Sequence, residues 1–131
     1  MSMSVEQFLS LSDAEQLQTI KDLNDIGQEE VIIDVLTGVG IDNLSVPLLG
    51  ELGRAYNNND KPEEAIKVFK AIDKEHRDAV WHYRCAYSYG SIVSSNREAY
   101  TSENMQQMLA LVDNGVQLAT KEGRNDIREY C

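Results

Sequence analysis

The stretch from Leu49 to Phe69, LGELGRAYNNNDKPEEAIKVF, predicts two helices joined by a turn. Large side chains recur at helical intervals and line one face of the first helix: Leu49, Leu52 and Tyr56. Gly53 lies on that face, where the missing Cβ allows a second helix to approach closely. On the second helix, small Ala65 and large Phe69 stand one turn apart and offer a hole and a knob. The stretch therefore predicts a closely packed pair of helices.

The same residues have the spacing L-x2-L-G-x2-Y followed by A-x3-F. This spacing is typical of the tetratricopeptide repeat (TPR), a helix–turn–helix unit of about 34 residues. A second copy follows, in which Trp81 precedes Cys85-Ala86-x2-Tyr89. The segments 48–58 (LLGELGRAYNN) and 81–89 (WHYRCAYSY) resemble those of small bacterial TPR proteins.

The resemblance implies an all-α protein, an α–α superhelix of about six or seven helices built from TPR-like pairs. It also implies a protein-binding module without a cofactor, because the first helices of stacked pairs line a concave surface. Some such bacterial proteins look like neutralisers of toxins or members of secretion-linked gene clusters. A repeat scaffold fixes a shape and leaves the ligand open.

The whole chain is expected to form a single helical domain, since 131 residues suffice for one modest core. We expect four parts within it. They are divergent N-terminal helices at 1–44, the clear repeat at 45–77, a second repeat at 78–122 and a C-terminal capping segment at 123–131. The second repeat contains an insertion at 94–100, and the capping segment has an apolar stripe of Ile127, Tyr130 and Cys131.

Capping and stop signals predict where the helices begin and end. N-terminal signals are found at four places: Ser4 with Gln7, Ser12 with Glu15, Ser45 before Pro47, and Asp60 with Glu63. Gly27 and Gly123 are expected to stop helices, and the run 37–40 (TGVG) to break a helix that covers about 28–36. We expect the apolar stripes to include Ile26 in the second helix and Leu109 in the last one.

The net charge of −10 is concentrated at the N-terminal end, where residues 1–45 carry nine acids and one base. This surplus argues against nucleic-acid binding, which needs Lys and Arg to replace phosphate counterions. The chain begins without the charged and apolar regions of a signal peptide, and its apolar residues are too scattered for a membrane span. We therefore expect a cytoplasmic protein that binds neither nucleic acid nor membranes.

The sequence offers no convincing catalytic or metal site. His82 and Cys85 are spaced as H-x2-C, but zinc needs about four ligands, and only His76 and Cys131 could add to them. Cys85 also takes an apolar helical position, where burial raises the pKa of a thiol and makes it a poor nucleophile. The G-V-G at 38–40 lacks the remaining residues of a phosphate-binding loop. We expect no enzyme activity, no metal and no cofactor.

The candidate binding residues lie on the presumed concave faces of the first helices in the two repeats. They are Arg54, Asn57, Asn58, Tyr83, Arg84 and Tyr87. Planar donors, amphipathic rings and amides are the residue types expected where a protein recognises a peptide. The alternative is equally open at this point: Tyr83 and Tyr87 pack between repeats, and the arginines are ordinary surface residues.

Two hypotheses about function follow. In the first, the concave groove binds a peptide or helix of another protein. In the second, the acidic N-terminal surface binds and inhibits a basic enzyme or toxin, as an immunity protein does. A homodimer formed through an uncovered terminal helix is also possible, because two clear repeats make only a short groove.

Overall fold

The computed structural model describes residues 2–95 and 102–123. Within these ranges the chain forms α-helices and no strand, which confirms the predicted all-α class. The helices described are α1 (Val5–Leu9), α2 (Asp13–Asp25), α3 (Glu29–Val39), α4 (Val46–Asn58), α5 (Pro62–Lys70), α6 (Ala79–Ser95) and α7 (Ser102–Glu122). Short 3-10 turns at Ile41–Asn43 and Lys74–His76 lie in the connections before α4 and α6.

The helices pack in chain order as the pairs α2–α3, α4–α5 and α6–α7. In addition, α2 contacts α4 and α4 contacts α6, so the first helices of the three pairs form one continuous layer. The second helix of a pair also packs on the first helix of the next, as α3 does on α4 and α5 on α6. The short helix α1 packs on α3. This arrangement is an all-helical, repeat-like stack.

The core of the central pair forms where the sequence predicts it. Leu52, Ala65 and Phe69 are fully buried. A Cβ added to Gly53 would lie 2.7 Å from Cδ1 of Phe69 and nearer still to other atoms of the ring. The predicted close approach at Gly53 is therefore confirmed, and the ring of Phe69 fills the space.

The junction between α5 and α6 is held by Trp81, whose ring is almost fully buried. Its Nε1 donates a 2.8 Å hydrogen bond to the carbonyl oxygen of Phe69. Arg77 stacks over the same ring, with Cζ 4.4 Å from the ring centroid. The guanidinium also donates to the carbonyl oxygens of Ile72 and Lys70 at 2.9 and 3.2 Å. These contacts fix the start of α6 against the end of α5.

Most of the predicted helix boundaries are confirmed. Both N-terminal capping boxes form, and the hydroxyl of Ser45 accepts from the backbone of Leu48 at the start of α4. The predicted stop at Gly27 has a positive φ of 76°, a conformation that glycine adopts without strain. Gly123 follows the last residue of α7.

The predicted break at 37–40 is wrong in its position. Helix α3 runs through Gly38 to Val39 and ends at Gly40, which has φ 99°. A Cβ on Gly38 would lie 2.6 Å from Cγ2 of Val5. Gly38 therefore permits α1 to pack closely on α3 and does not end the helix.

Two further local predictions are wrong. The Asp60–Glu63 capping box does not form: Lys61 precedes α5 without a side-chain cap, and Asp60 is a turn residue with φ 57°. Ile26 and Leu109, both assigned to apolar stripes, are 62% and 57% exposed. Residues 94 and 95 of the predicted insertion belong to α6, and its residues 96–100 lie outside the described ranges. Of the predicted capping segment 123–131, residues 124–131 also lie outside them.

We predict that Gly53→Ala destabilises the protein by about 1–3 kcal/mol, because the new methyl group overpacks the site occupied by Phe69. The matched control is Gly90→Ala in α6, where the added Cβ would meet only Sδ of Met108 at 3.6 Å. This control should be neutral or stabilising by up to about 1 kcal/mol, since alanine favours helix. Urea denaturation measures the free energy of unfolding of both variants. Equal values for the two would contradict the close approach of Phe69 to Gly53.

Candidate functional site

A cleft of about 660 Å³ lies along the layer formed by α2, α4 and α6. All six residues predicted from the sequence line it, so the structure brings them together. Lys21 from α2 and Pro47 and Gly50 from α4 also contribute to its walls. The connection between α5 and α6 adds Ile72, His76 and Asp78. We call this feature the inner cleft.

A buried carboxylate, Glu51, organises the inner cleft. Its Oε1 accepts a 3.1 Å hydrogen bond from Nη1 of Arg54, and its Oε2 accepts one of 3.0 Å from Nη2 of Arg84. Nδ2 of Asn24 donates to both Oε1 and the backbone oxygen of Glu51, at 3.2 and 3.1 Å. One side chain in α4 is thereby joined to α2 and to α6.

Both arginines of the inner cleft are held by these contacts. Arg54 also donates from Nη2 to Asp25 at 3.0 Å, so it spans two carboxylates. Burial alone would lower the pKa of Arg54, but its hydrogen bond to Asp25 and the charge and hydrogen bond of Glu51 raise it above the ordinary value. Arg54 and Arg84 retain 30% and 21% side-chain exposure. They are fixed charges that water and a ligand can still reach.

Asn57 has a structural role that its position in the sequence does not reveal. Its Nδ2 donates to the carbonyl oxygen of Arg84 at 3.0 Å, and its Oδ1 accepts from the hydroxyl of Ser88 at 2.6 Å. The side chain is buried. Asn57 therefore joins α4 to α6 beneath the cleft.

The two tyrosines differ in their surroundings. Tyr83 is partly buried and packs against Ala79 and Ala119, between α6 and α7. Tyr87 is 50% exposed and belongs to neither apolar cluster of the described residues. Tyr83 therefore packs between helices, as the alternative to a binding role expects. Tyr87 and the exposed Asn58 lie on the accessible wall of the cleft.

Sequence reasoning missed the acceptors that hold the arginines, Glu51 and Asp25, and the donor Asn24. The available signal was weak: Glu51 stands three residues before Arg54 on a helix, which is a common spacing for a surface ion pair. Nothing in the local sequence shows that Glu51 is only 4% exposed. Its burial depends on α2 and α6, which come from distant parts of the chain.

His82 and Cys85 have different surroundings. Cys85 is 1% exposed, and burial raises the pKa of its thiol to about 11 in spite of the nearby charges of Lys70 and Arg77. His82 contacts the carbonyl oxygen of Asp78 through Nδ1 at 2.8 Å. No group of three or more potential metal ligands occurs among residues 2–95 and 102–123.

Comparisons with protein-family models, with curated proteins and with solved structures find no match. Among the helices that the structure describes, none combines the length and the apolar content needed to cross a membrane. The interpretation of the inner cleft therefore depends on its geometry and chemistry.

We predict that Glu51→Gln destabilises the protein by about 2–3 kcal/mol, because it leaves two guanidinium groups without their shared counter-ion. The cost stays below the 3–5 kcal/mol typical of a fully buried pair, since both arginines keep partial access to water. Glu75→Gln, at an exposed position, is the control and should change stability by less than about 0.5 kcal/mol. Urea denaturation tests this, and a Glu51→Gln variant as stable as the control would refute the bridging role.

Proposed function

We propose that this chain is a non-catalytic protein-interaction module of the TPR type, which binds a segment of a partner protein in the inner cleft. The observation that carries the proposal is the half-exposed ring of Tyr87 beside two fixed arginines in a cleft of about 660 Å³. The resemblance of segments 48–58 and 81–89 to TPR proteins supports it. So does the packing of the helices as stacked pairs whose first members form one layer.

The rigidity of the inner cleft favours binding. Glu51, Asn24 and Asn57 hold α2, α4 and α6 together through hydrogen bonds. A site whose side chains are already fixed loses less conformational entropy when a ligand arrives, so more of the contact energy appears as affinity. Tyr87 can then serve as an aromatic anchor, the residue type enriched at the energetic centres of interfaces.

The charges of the inner cleft indicate which partner it prefers. Lys21 has no ion-pair partner among the described residues, and the two guanidinium groups remain partly accessible. Glu51 is buried beneath them, which leaves Asp78 as the exposed acid among the lining residues. We therefore propose that the bound segment is neutral or acidic and places an apolar side chain against Tyr87.

We predict that peptides selected from a displayed random library bind the wild-type cleft and lose about tenfold in affinity for Tyr87→Ala. Such a loss corresponds to about 1.4 kcal/mol, a typical value for removing an aromatic anchor. The matched control is Ile26→Ala, which also truncates a large exposed side chain but does not line the cleft. Isothermal titration calorimetry measures the affinity of the selected peptides for the wild type and the two variants.

The control should bind the selected peptides as the wild type does, and both variants should retain the wild-type melting temperature within a few degrees. Peptides that bind all three proteins equally would place the binding surface elsewhere. A library that yields no cleft-dependent peptide from repeated selections would count against peptide recognition by this cleft.

A second function is favoured by one observation, the exposure of the N-terminal acids. Seven acids in α1–α3 and the turn after α3 are exposed and make no ion pair within the described residues: Glu6, Asp13, Glu15, Asp22, Glu30, Asp34 and Asp42. Such a surface attracts a basic partner over long range. We propose inhibition of a basic enzyme or toxin as the alternative function.

This alternative predicts that the selected peptides carry a net positive charge. Their affinity for the protein should fall steeply between about 0.1 M and about 1 M salt, because the screening length falls from roughly 10 Å to 3 Å. Their affinity should fall in the double variant Glu30→Gln, Asp34→Asn. It should not fall in the charge-matched control Glu103→Gln, Asp113→Asn, whose sites are exposed on α7. Calorimetry at the two salt concentrations is the measurement, and equal losses in both double variants would rule out a local acidic site.

A further inference from the structure

A second pocket, of about 380 Å³, lies on the other side of α6 from the inner cleft. It is bounded by the end of α5, the following turn, α6 and α7. On α6 its wall contains His82, Cys85 and Tyr89, whereas the inner cleft uses Tyr83, Arg84 and Tyr87. Trp81 lies between the two cavities and contributes to both. We call this feature the outer pocket.

The charged residues that line the outer pocket are all basic. Lys70, Lys74 and Arg77 contribute to it, and no described lining residue is acidic. This is the reverse of the chain as a whole, in which 22 acids oppose 12 bases. None of the three bases forms an ion pair with a described acid. The pocket therefore carries a local positive charge with no described acid in its wall or in ion-pair contact with its bases.

The geometry of Arg77 makes that charge a fixed one. Its Nε and Nη2 donate to the carbonyl oxygens of Ile72 and Lys70, and its Cζ lies over the Trp81 ring, 4.4 Å from the centroid. Nη1 makes no hydrogen bond within the described residues. A guanidinium held in this way is preorganised to bind an oxyanion, because the N–H groups of Nη1 need no rearrangement.

Local structural roles explain part of this arrangement, but they do not explain all of it. Lys70 stands in the last turn of α5, where a cation complements the helix dipole, and its Nζ lies 6.0 Å from the centroid of the Tyr89 ring. Arg77 satisfies backbone carbonyls at the end of the same helix. These two roles do not account for the position of Lys74 at the same pocket. They also do not explain why no described acid pairs with the three bases.

The remaining wall is suited to a small organic anion. Gln107 and Asn114 on α7 supply exposed amide donors, and Trp81 and Tyr89 supply aromatic surface. The volume falls within the range of small-molecule sites, roughly 300–1,000 Å³. We propose that the outer pocket binds a small polyvalent oxyanion, a molecule that carries phosphate groups or several carboxylates.

The test uses the full chain, with pyrophosphate and citrate as probes at constant ionic strength. Fluorescence of Trp81 reports binding, since it is the single tryptophan of the chain and lies in the wall of the pocket. Calorimetry supplies the stoichiometry. We expect one saturable site for at least one of the two probes, with affinity at least tenfold higher than for monovalent acetate.

The variant Lys70→Gln, Lys74→Gln should weaken this binding at least tenfold. Its matched control is Lys61→Gln, Lys67→Gln, which changes the net charge equally at exposed positions at the start of α5 and within it, outside the pocket. The control should bind as the wild type does. Thermal melts of the unliganded variants ensure that both remain folded.

Three results would overturn the proposal: no saturable binding of either probe, equal affinity for acetate, or equal losses in the two double variants. The last two would indicate attraction by diffuse charge. Tyr87→Ala should leave probe binding unchanged, so failure of the outer pocket is distinguishable from failure of the inner cleft.

Discussion

The buried carboxylate of Glu51 is the interaction on which the candidate site depends. A charge removed from water is costly unless it is paired and hydrogen-bonded, and Glu51 has donors from Arg54, Arg84 and Asn24. These donors come from three helices, so the requirement to satisfy one carboxylate fixes the relation of α2, α4 and α6. Oδ1 of Asn24 is buried and accepts no hydrogen bond from the described residues.

The same network decides what the inner cleft offers a ligand. Guanidinium groups on an ordinary surface move through many conformations, whereas here each arginine is held by at least one carboxylate and remains partly accessible. The cleft thus combines fixed cations with the half-exposed ring of Tyr87.

Helix α6 separates two cavities of different character. Its inner face carries Arg84 and Tyr87, and its outer face meets the basic residues at the end of α5 and in the turn after it. Trp81 contributes to both, and its hydrogen bond to Phe69 connects it to the core of the central pair. The acidic surplus of the chain lies on the exposed surfaces of α1–α3 and the turn after α3. Acids therefore dominate the exposed N-terminal surface, whereas the described wall of the outer pocket contains bases and no acid.

The sequence by itself determined the helical class, most helix ends and the close approach at Gly53, because these follow from spacings and caps within a few residues. Helical periodicity also placed the three candidate residues of each helix on one face, whereas the packing of α4 against α6, which brings the two sets together, is tertiary. Only the tertiary structure decided that Asn57 and Tyr83 serve packing, that Gly38 accommodates Val5, and that Glu51 binds both arginines. Apart from the Glu51–Arg54 pair, those outcomes depend on contacts between residues 27 to 36 positions apart, and no local pattern encodes such partners.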